Sequence, residues 1–298
     1  MHELYGQCRG AMVLLHGGAG AWDATGPRSL NEGTLSLRKI AAKAIDSLRH
    51  GNEGLDVVVE CLKAMELDEL FNAGRGAALQ SDGQTRLTAA IMDGPKQTFS
   101  GVISASYVTH PSVMARHLQG QSSRVLTTPG TELLARELGL PTESALSSLR
   151  VKAWTDRLAK GGETFCDTVG ALIRMRDGRL YAGTSTGGRG FEFPGRVSDS
   201  GTVAGTYCTK IAAISATGIG EQIVDDALAA RLETRRRDGA TLEAASRLCL
   251  KEAMARGHAY GWIAQDAEGF WAVAHNTPTM TFVVHSEEDG EASSSFRA

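Results

Sequence analysis

The 298-residue chain has no run approaching the ~18 consecutive apolar residues of a membrane span. No apolar stretch of the signal-peptide kind lies between Met1 and Gly10. The five cysteines, Cys8, Cys61, Cys166, Cys208 and Cys249, are scattered and form no CxxC pair. That argues against a disulfide framework or a zinc site and for a reducing compartment, here taken as the cytoplasm. Neither sign of charge prevails: 31 Lys and Arg stand against 34 Asp and Glu, a net charge of −3. No nucleic acid and no anionic membrane is therefore expected as a partner. The glycines of His16-Gly17-Gly18-Ala19-Gly20 lack GxGxxG spacing, and no GK[ST] follows them. A phosphate-cradling loop is disfavoured there.

What the chain does have is glycine, 35 residues of 298, where a usual share would be ~7%. Tight turns and close backbone approaches are expected. Ala11–Leu15 reads as a buried strand ending in a glycine turn at 16–20. Leu35–Leu48 and Leu55–Leu67 read as amphipathic helices, with Gly51 stopping the first and Asp56 starting the second. Leu87–Met92 and Val102–Val108 read as strands. Pro111–Leu118, Glu132–Leu138 and Pro141–Lys160 read as helices. Ala159–Thr164 is the most linker-like stretch. Beyond it, strands are expected at Val169–Arg174, Leu180–Thr184, Ile211–Ala216, Tyr260–Ala264, Phe270–His275 and Thr279–Val284. Helices are expected at Glu221–Arg235, closed by a solvated Arg235-Arg236-Arg237 run, and at Leu242–Arg256. The polar tail Ser286–Ala298 should fray. Turns such as Arg176-Asp177-Gly178-Arg179 imply antiparallel hairpins. The fold class is α+β: two mainly antiparallel sheets covered by helices, in one domain.

Chemistry concentrates in four runs. Phe165-Cys166-Asp167-Thr168-Val169-Gly170 is a polar entry into an apolar strand. Gly183-Thr184-Ser185-Thr186-Gly187-Gly188 follows, then Pro194-Gly195-Arg196-Val197-Ser198-Asp199-Ser200, then Ala216-Thr217-Gly218-Ile219-Gly220-Glu221. By residue type alone, Thr168 is a β-branched strand opener and Asn72, before Ala73-Gly74, is a turn residue. Arg196 with Asp199 is either a surface ion pair or a pair suited to an amino acid, guanidinium for carboxylate and carboxylate for ammonium. Thr217–Gly220 closes a strand and opens a helix, where backbone N–H groups favour negative charge. No Ser-His-Asp arrangement is expected, because the histidines lie far from Thr168 in sequence.

These runs, in this order and spacing, resemble the plant-type asparaginase and isoaspartyl-peptidase family of N-terminal nucleophile hydrolases. The resemblance extends from His16 to about Met280. It implies a four-layer αββα sandwich that cuts itself between Asp167 and Thr168, giving subunits 1–167 and 168–298. Thr168 would be nucleophile and, through its freed amine, its own base. Thr186 would support it. Thr217 and Asn72 would form the oxyanion hole. Arg196, Asp199, Gly218 and Gly220 would hold the substrate, and the 16–20 loop would support the nucleophile strand. The implied reaction is hydrolysis of β-aspartyl dipeptides and of the L-asparagine side-chain amide, releasing L-aspartate. No organic cofactor or catalytic metal is needed. A structural sodium on the Phe71–Arg75 loop and a homodimer of cleaved units are further implications.

Some positions depart from the pattern. Asp167 stands where many members have Gly, Ser198 replaces a usual Gly, and Gly201-Thr202-Val203 replaces a Pro-containing stretch. The lead-in before Thr168 is short for the family. These departures leave open a glycosylasparaginase-like amidase, against which TSTGG rather than TSTNG leans, and an uncleaved non-catalytic homologue.

Overall fold

The computed structural model describes residues 2–20, 22, 29–160 and 168–295. In chain order, β1 (His2–Gln7) and β2 (Met12–Gly20) precede helices α1 (Leu30–Arg49) and α2 (Gly54–Leu67). The hairpin β3 (Leu87–Asp93) and β4 (Thr98–Ala105) leads to α3 (Pro111–Leu118), β5 (Val125–Leu126), α4 (Gly130–Glu137) and α5 (Ser148–Lys160). Then come β6 (Val169–Arg174), β7 (Leu180–Thr186), β8 (Thr206–Cys208) and β9 (Ala212–Gly218). Helices α6 (Gly220–Asp225), α7 (Leu228–Arg237) and α8 (Leu242–Ala255) follow. The chain closes with β10 (Tyr260–Asp266), β11 (Phe270–His275), β12 (Thr279–Ser286) and β13 (Gly290–Ser294).

Among the described residues the strands form two sheets, ordered β13-β12-β2-β6-β7-β3-β4-β5 and β1-β11-β10-β9-β8. All pairs are antiparallel except β4 with β5. The expected αββα layering follows from where side chains alternate. In β2, Val13 and Leu15 join Leu37, Ile45, Val58 and Leu62 of α1 and α2 in one core. Met12 and Leu14 point the other way, into a second core with Ile263 and Val273 of the smaller sheet. A third core packs Ile214, Trp262 and Ala272 of that sheet on Leu232 and Leu250 of α7 and α8. Both faces of each sheet are thus covered, which is why central strands are apolar at nearly every position rather than at alternate ones. Ser29 and Thr241 cap α1 and α8 by accepting from Glu32 N and Ala244 N.

Several expectations are corrected. His16–Gly20 is not a turn but the end of β2, with a bulge at Gly17 between the pairs His16–Phe282 and Gly18–Thr281. A Cβ on Gly17 would stand 2.6 Å from Thr281 Oγ1, so the glycine marks a close approach within a sheet. Residues 141–147 are not helical, and α5 starts at Ser148. Helix α2 starts at Gly54, two residues before Asp56, which falls in its first turn. The single helix expected over 221–235 is two, broken at Ala227 with φ +47°. Buried Asp226 sits at the break, accepting from Tyr260 Oη at 2.5 Å and contacting His258 Nδ1 at 2.8 Å. Arg235 and Arg236 are not a solvated end: they fold back onto Glu252 and Asp266. The tail does not fray from Ser286, because β13 pairs with β12 and Glu291 meets Arg38 at 2.8 Å. Short β1, β5 and β8 carried no readable period. The Ala159–Thr164 linker falls largely outside the described residues, as does Asp167. Among the described residues no helix is long and apolar enough to cross a membrane.

Candidate active site

The hairpin β6–β7 pairs Val169 with Ser185, so Thr168 and Thr186 come to the same open end of the larger sheet. Its turn is the expected one, with Gly178 at φ +84° and Gly178 N donating to Met175 O at 3.0 Å. Thr168 is buried, and its Oγ1 donates to Thr186 Oγ1 at 3.2 Å. Thr186 Oγ1 also accepts from Gly188 N at 3.0 Å.

Thr217 arrives from the other sheet, near the end of β9. Its Oγ1 accepts from Thr168 N at 3.3 Å and from Ala19 N at 3.1 Å. With both lone pairs engaged, the hydroxyl proton is what it has left to offer, which suits a donor to a developing anion.

Asn72 lies against the same turn but is already engaged. Its Nδ2 donates to Gly188 O at 2.6 Å and its Oδ1 accepts from Ala78 N at 2.7 Å. Its carbonyl also accepts from Gly187 N at 2.9 Å. One amide proton remains for any other partner.

Ser185, between Thr184 and Thr186, sits in letters that read GxSxG. It is no nucleophile elbow: it lies within β7 and its Oγ donates to buried Glu66 at 2.8 Å.

The residues expected to hold the substrate gather around Gly220. A turn at Pro194-Gly195, with Gly195 at φ +90° and Arg196 N donating to Phe193 O at 3.1 Å, brings Arg196 in. A 3-10 turn at Asp199–Gly201 brings in Asp199. A Cβ on Gly220 would lie 2.5 Å from Arg196 Nη2 and 2.6 Å from Asp199 Oδ1. Gly218 has φ +135° and backs onto Tyr260 Cα.

Of the two readings of Arg196 with Asp199, the mutual surface ion pair is not seen: the guanidinium goes to Glu221. Arg196 Nε and Nη2 donate to Glu221 Oε1 and Oε2 at 2.7 and 3.1 Å. Asp199 is 3% exposed, and its Oδ2 is buried without a hydrogen-bond partner. Burial raises its carboxyl to about 6, against the opposing pull of Arg196 and of Ser198. Ser198, the departure from Gly, donates to Asp199 Oδ1 at 3.1 Å and caps the turn by accepting from Ser200 N.

Sequence reasoning missed two neighbours, Glu221 and Glu192, and for His16, in the segment expected to support the nucleophile strand, it missed the partner. Glu221 was read only as a helix opener, although it takes the guanidinium. Glu192 is held high by burial beside Arg196 and presses on Gly188. His16, 199 residues from Ser215, reaches it at 2.8 Å just below Thr168. For Glu221, its place directly after the TGIG run was the one available signal.

Comparison with known proteins finds the family model described as asparaginase matching residues 9–293. An isoaspartyl peptidase/L-asparaginase of Synechocystis is 37% identical over 289 residues, 92% of this chain and 87% of that protein. An isoaspartyl peptidase of Salmonella typhimurium is 33% identical, covering 91% of this chain and 93% of that protein. A plant-type L-asparaginase of Pyrobaculum calidifontis is 31% identical, with 90% and 94% covered.

Proposed function

The chain belongs to the asparaginase family and is a hydrolase, and from that membership we propose that it cleaves β-aspartyl dipeptides and the side-chain amide of L-asparagine, releasing L-aspartate. Thr168 is the nucleophile. In maturation its Oγ1 attacks the Asp167 carbonyl carbon, the acyl group passes from N to O, and water hydrolyses the ester. The products are a carboxylate on Asp167 and a free amine on Thr168. An α-amine has a reference pKa of ~7.7–8.0, so near neutral pH a usable fraction accepts a proton.

In turnover Arg196 takes the substrate α-carboxylate and Asp199 its α-ammonium, which meets the unpartnered Oδ2. Thr168 Oγ1 bonds to the side-chain carbonyl carbon as its proton passes to the amine. Thr217 Oγ1–H, with the second N–H of Asn72, steadies the oxyanion; losing one such donor typically costs ~2.7–4 kcal/mol. The carbon–nitrogen bond breaks as the amine hands that proton to the leaving nitrogen. Water then releases aspartate and restores the hydroxyl.

The observation that carries this reading is the convergence of Thr168, Thr186 and Thr217 from two sheets around one hydroxyl. A structural sodium on the Phe71–Arg75 loop belongs to the same proposal. The carbonyl oxygens of Glu66, Glu69 and Phe71 crowd Gly74 and Gly76 there, and they are the donor type a hard cation takes. Cytoplasmic location and a dimer of cleaved units belong to it too.

Intact mass of the purified protein tests maturation: two fragments meeting at Asp167/Thr168 are expected, and a permanent single chain would mean a non-catalytic homologue. Thr168→Ala should abolish both cleavage and hydrolysis. Faster turnover of a GlcNAc-asparagine analogue than of β-aspartyl-leucine would replace the proposed substrate class with glycosylated asparagine.

A further inference from the structure

The three threonines stand on a second row of polar side chains. Stepping two residues inward along each strand, Thr168 leads to Gly170, Thr186 to Thr184 and Thr217 to Ser215, all on the same face as their predecessors. His16 of β2 pairs with Gly170 of β6, and Gly170 with Thr184 of β7, so these three lie side by side across the larger sheet. Ser215 enters from the smaller sheet. Its Oγ lies 2.8 Å from His16 Nε2 and 2.9 Å from Thr184 Oγ1.

A Cβ on Gly170 would land on both the Ser215 hydroxyl and the His16 ring, so the glycine is the gap through which the second sheet is pinned. Thr206 of β8 extends the chain, donating to Thr184 Oγ1 at 2.6 Å and meeting Ser200 O, next to Asp199, at 3.3 Å. His16, Thr184, Ser215 and Thr206 are completely buried.

Facing sheets usually meet through apolar side chains, as Leu172 and Ile263 do elsewhere between these two. Apolar contact is non-directional and tolerates small slips. A buried hydrogen bond holds its length near 2.7–3.0 Å, and leaving a partner unsatisfied costs about 1–3 kcal/mol. A chain of them is therefore a stiff spacer. The active threonines need one, because Thr217 and Thr168 belong to different sheets and their separation is an inter-sheet distance. Burial drives the His16 imidazole down to about 3, with the Thr168 backbone pulling the other way; its Nε2 meets Ser215 while its Nδ1 is buried without a hydrogen-bond partner. It is neutral in working conditions and serves as a fixed strut, not a proton carrier.

We infer that His16, Thr184, Ser215 and Thr206 form a positioning layer that sets the gap between the nucleophile Thr168 and the oxyanion donor Thr217. This rests on the functional reading above. The layer touches no reacting atom. Its effect is on the rate of the chemical step rather than on ground-state binding, because Thr184 and Ser215 touch neither Arg196 nor Asp199, and only Thr206 reaches their turn, through Ser200 O.

The test compares Thr184→Val, which keeps shape and removes the hydroxyl, with Thr184→Ser, which keeps the hydroxyl. Ser215→Ala is the second break in the chain. Each is assayed as matured enzyme on β-aspartyl-leucine and L-asparagine. A misplacement near 1 Å costs about 100-fold in rate, so Thr184→Val and Ser215→Ala should lower kcat about 10- to 100-fold. KM should stay within about twofold, and Thr184→Ser should stay near wild type. If Thr184→Val keeps wild-type kcat, or Thr184→Ser falls as far as Thr184→Val, the positioning layer is refuted while the functional reading stands. A wild-type enzyme inert on both substrates would overturn both.

Discussion

Replacing Gly220 with alanine should weaken substrate binding while leaving the fold intact or firmer. Gly220 opens α6, and a helical glycine is less stable than alanine there by ~0.5–1 kcal/mol. The added methyl would sit 2.5 Å from Arg196 Nη2 and 2.6 Å from Asp199 Oδ1. Ordinary contact is about 3.5 Å, so each group must retreat by about 1 Å. Arg196 Nη2 ends a long side chain and can give, whereas Asp199 Oδ1 ends a short buried one held by Ser198 and must swing out of its place for the backbone to stay. They are also the two groups assigned to the substrate's α-carboxylate and α-ammonium. Arg196 is tethered to Glu221 along its Nε edge, so its retreat swings the free edge out of line.

A hydrogen bond to a charged group contributes ~1.5–3 kcal/mol, so losing one is expected to raise KM about 10- to 150-fold. Steady-state kinetics on L-asparagine and β-aspartyl-leucine, with thermal melts on the same samples, check both halves. A KM within twofold of wild type would refute the assignment of Arg196 and Asp199 to recognition. A fall of several degrees in Tm would mean the backbone yielded instead.

Other outcomes follow from groups whose proton affinity the fold has moved. In the proposed role Asp199 holds the substrate ammonium only as carboxylate, and burial raises its carboxyl to about 6. Beneath the acid limb set by the Thr168 amine, log kcat/KM should therefore gain a further unit of slope below pH 6, and Asp199→Asn should remove that gain; an unchanged slope in the variant would sink it.

Burial lowers His16 to about 3 and His275 to about 4, from an unfolded value near 6.5. Their contribution is whole above pH 6.5 and is lost as pH falls toward 4 and 3, at ~1.4 kcal/mol per pH unit for each. Asp199 is shifted upward and so opposes one of them between about 6 and 3.8. Urea melts from pH 7 to 5 should show the loss, and His275→Asn should reduce it; equal stability at pH 7 and 5 would contradict the burial argument. Leu172→Ala, between the sheets, should cost ~2–5 kcal/mol, and a cost under ~1 would mean the sheets close over the gap.

Much of this molecule was legible in order along the chain. The hairpin of β6 and β7 announced itself through Arg176-Asp177-Gly178-Arg179 between two apolar runs, because turn chemistry is local. Strands β10, β11 and β12 were readable from composition. Helix α1 showed through its apolar stripe, since the 3.6 period is a property of the segment itself. The turns that carry Arg196 and Asp199 could be placed for the same reason, through Pro194-Gly195 and the small polar residues that follow. Errors fell where long-range contact overrode the local signal. Glycines usually break a strand, yet Gly17 lies in one at a bulge, where Phe71 and Thr281 leave no room for a side chain, and Gly18 follows it with φ +115°. The polar tail pairs as β13 through its backbone, which composition does not reveal.

The amino-acid sequence by itself determined which groups this protein carries and which short segments present them: a threonine at a strand entry, an arginine and an aspartate on tight turns, a threonine before a helix start. Only the tertiary structure decided how they meet. Thr168 and Thr217 touch because two sheets stack, Arg196 turns to Glu221 rather than to Asp199, and His16 comes to Ser215 across 199 residues. The physical reason is range: torsion, turn and periodicity act over a few neighbours. The spacing of a site shared by two sheets comes from packing and buried hydrogen bonds between residues that leave no trace of one another along the chain.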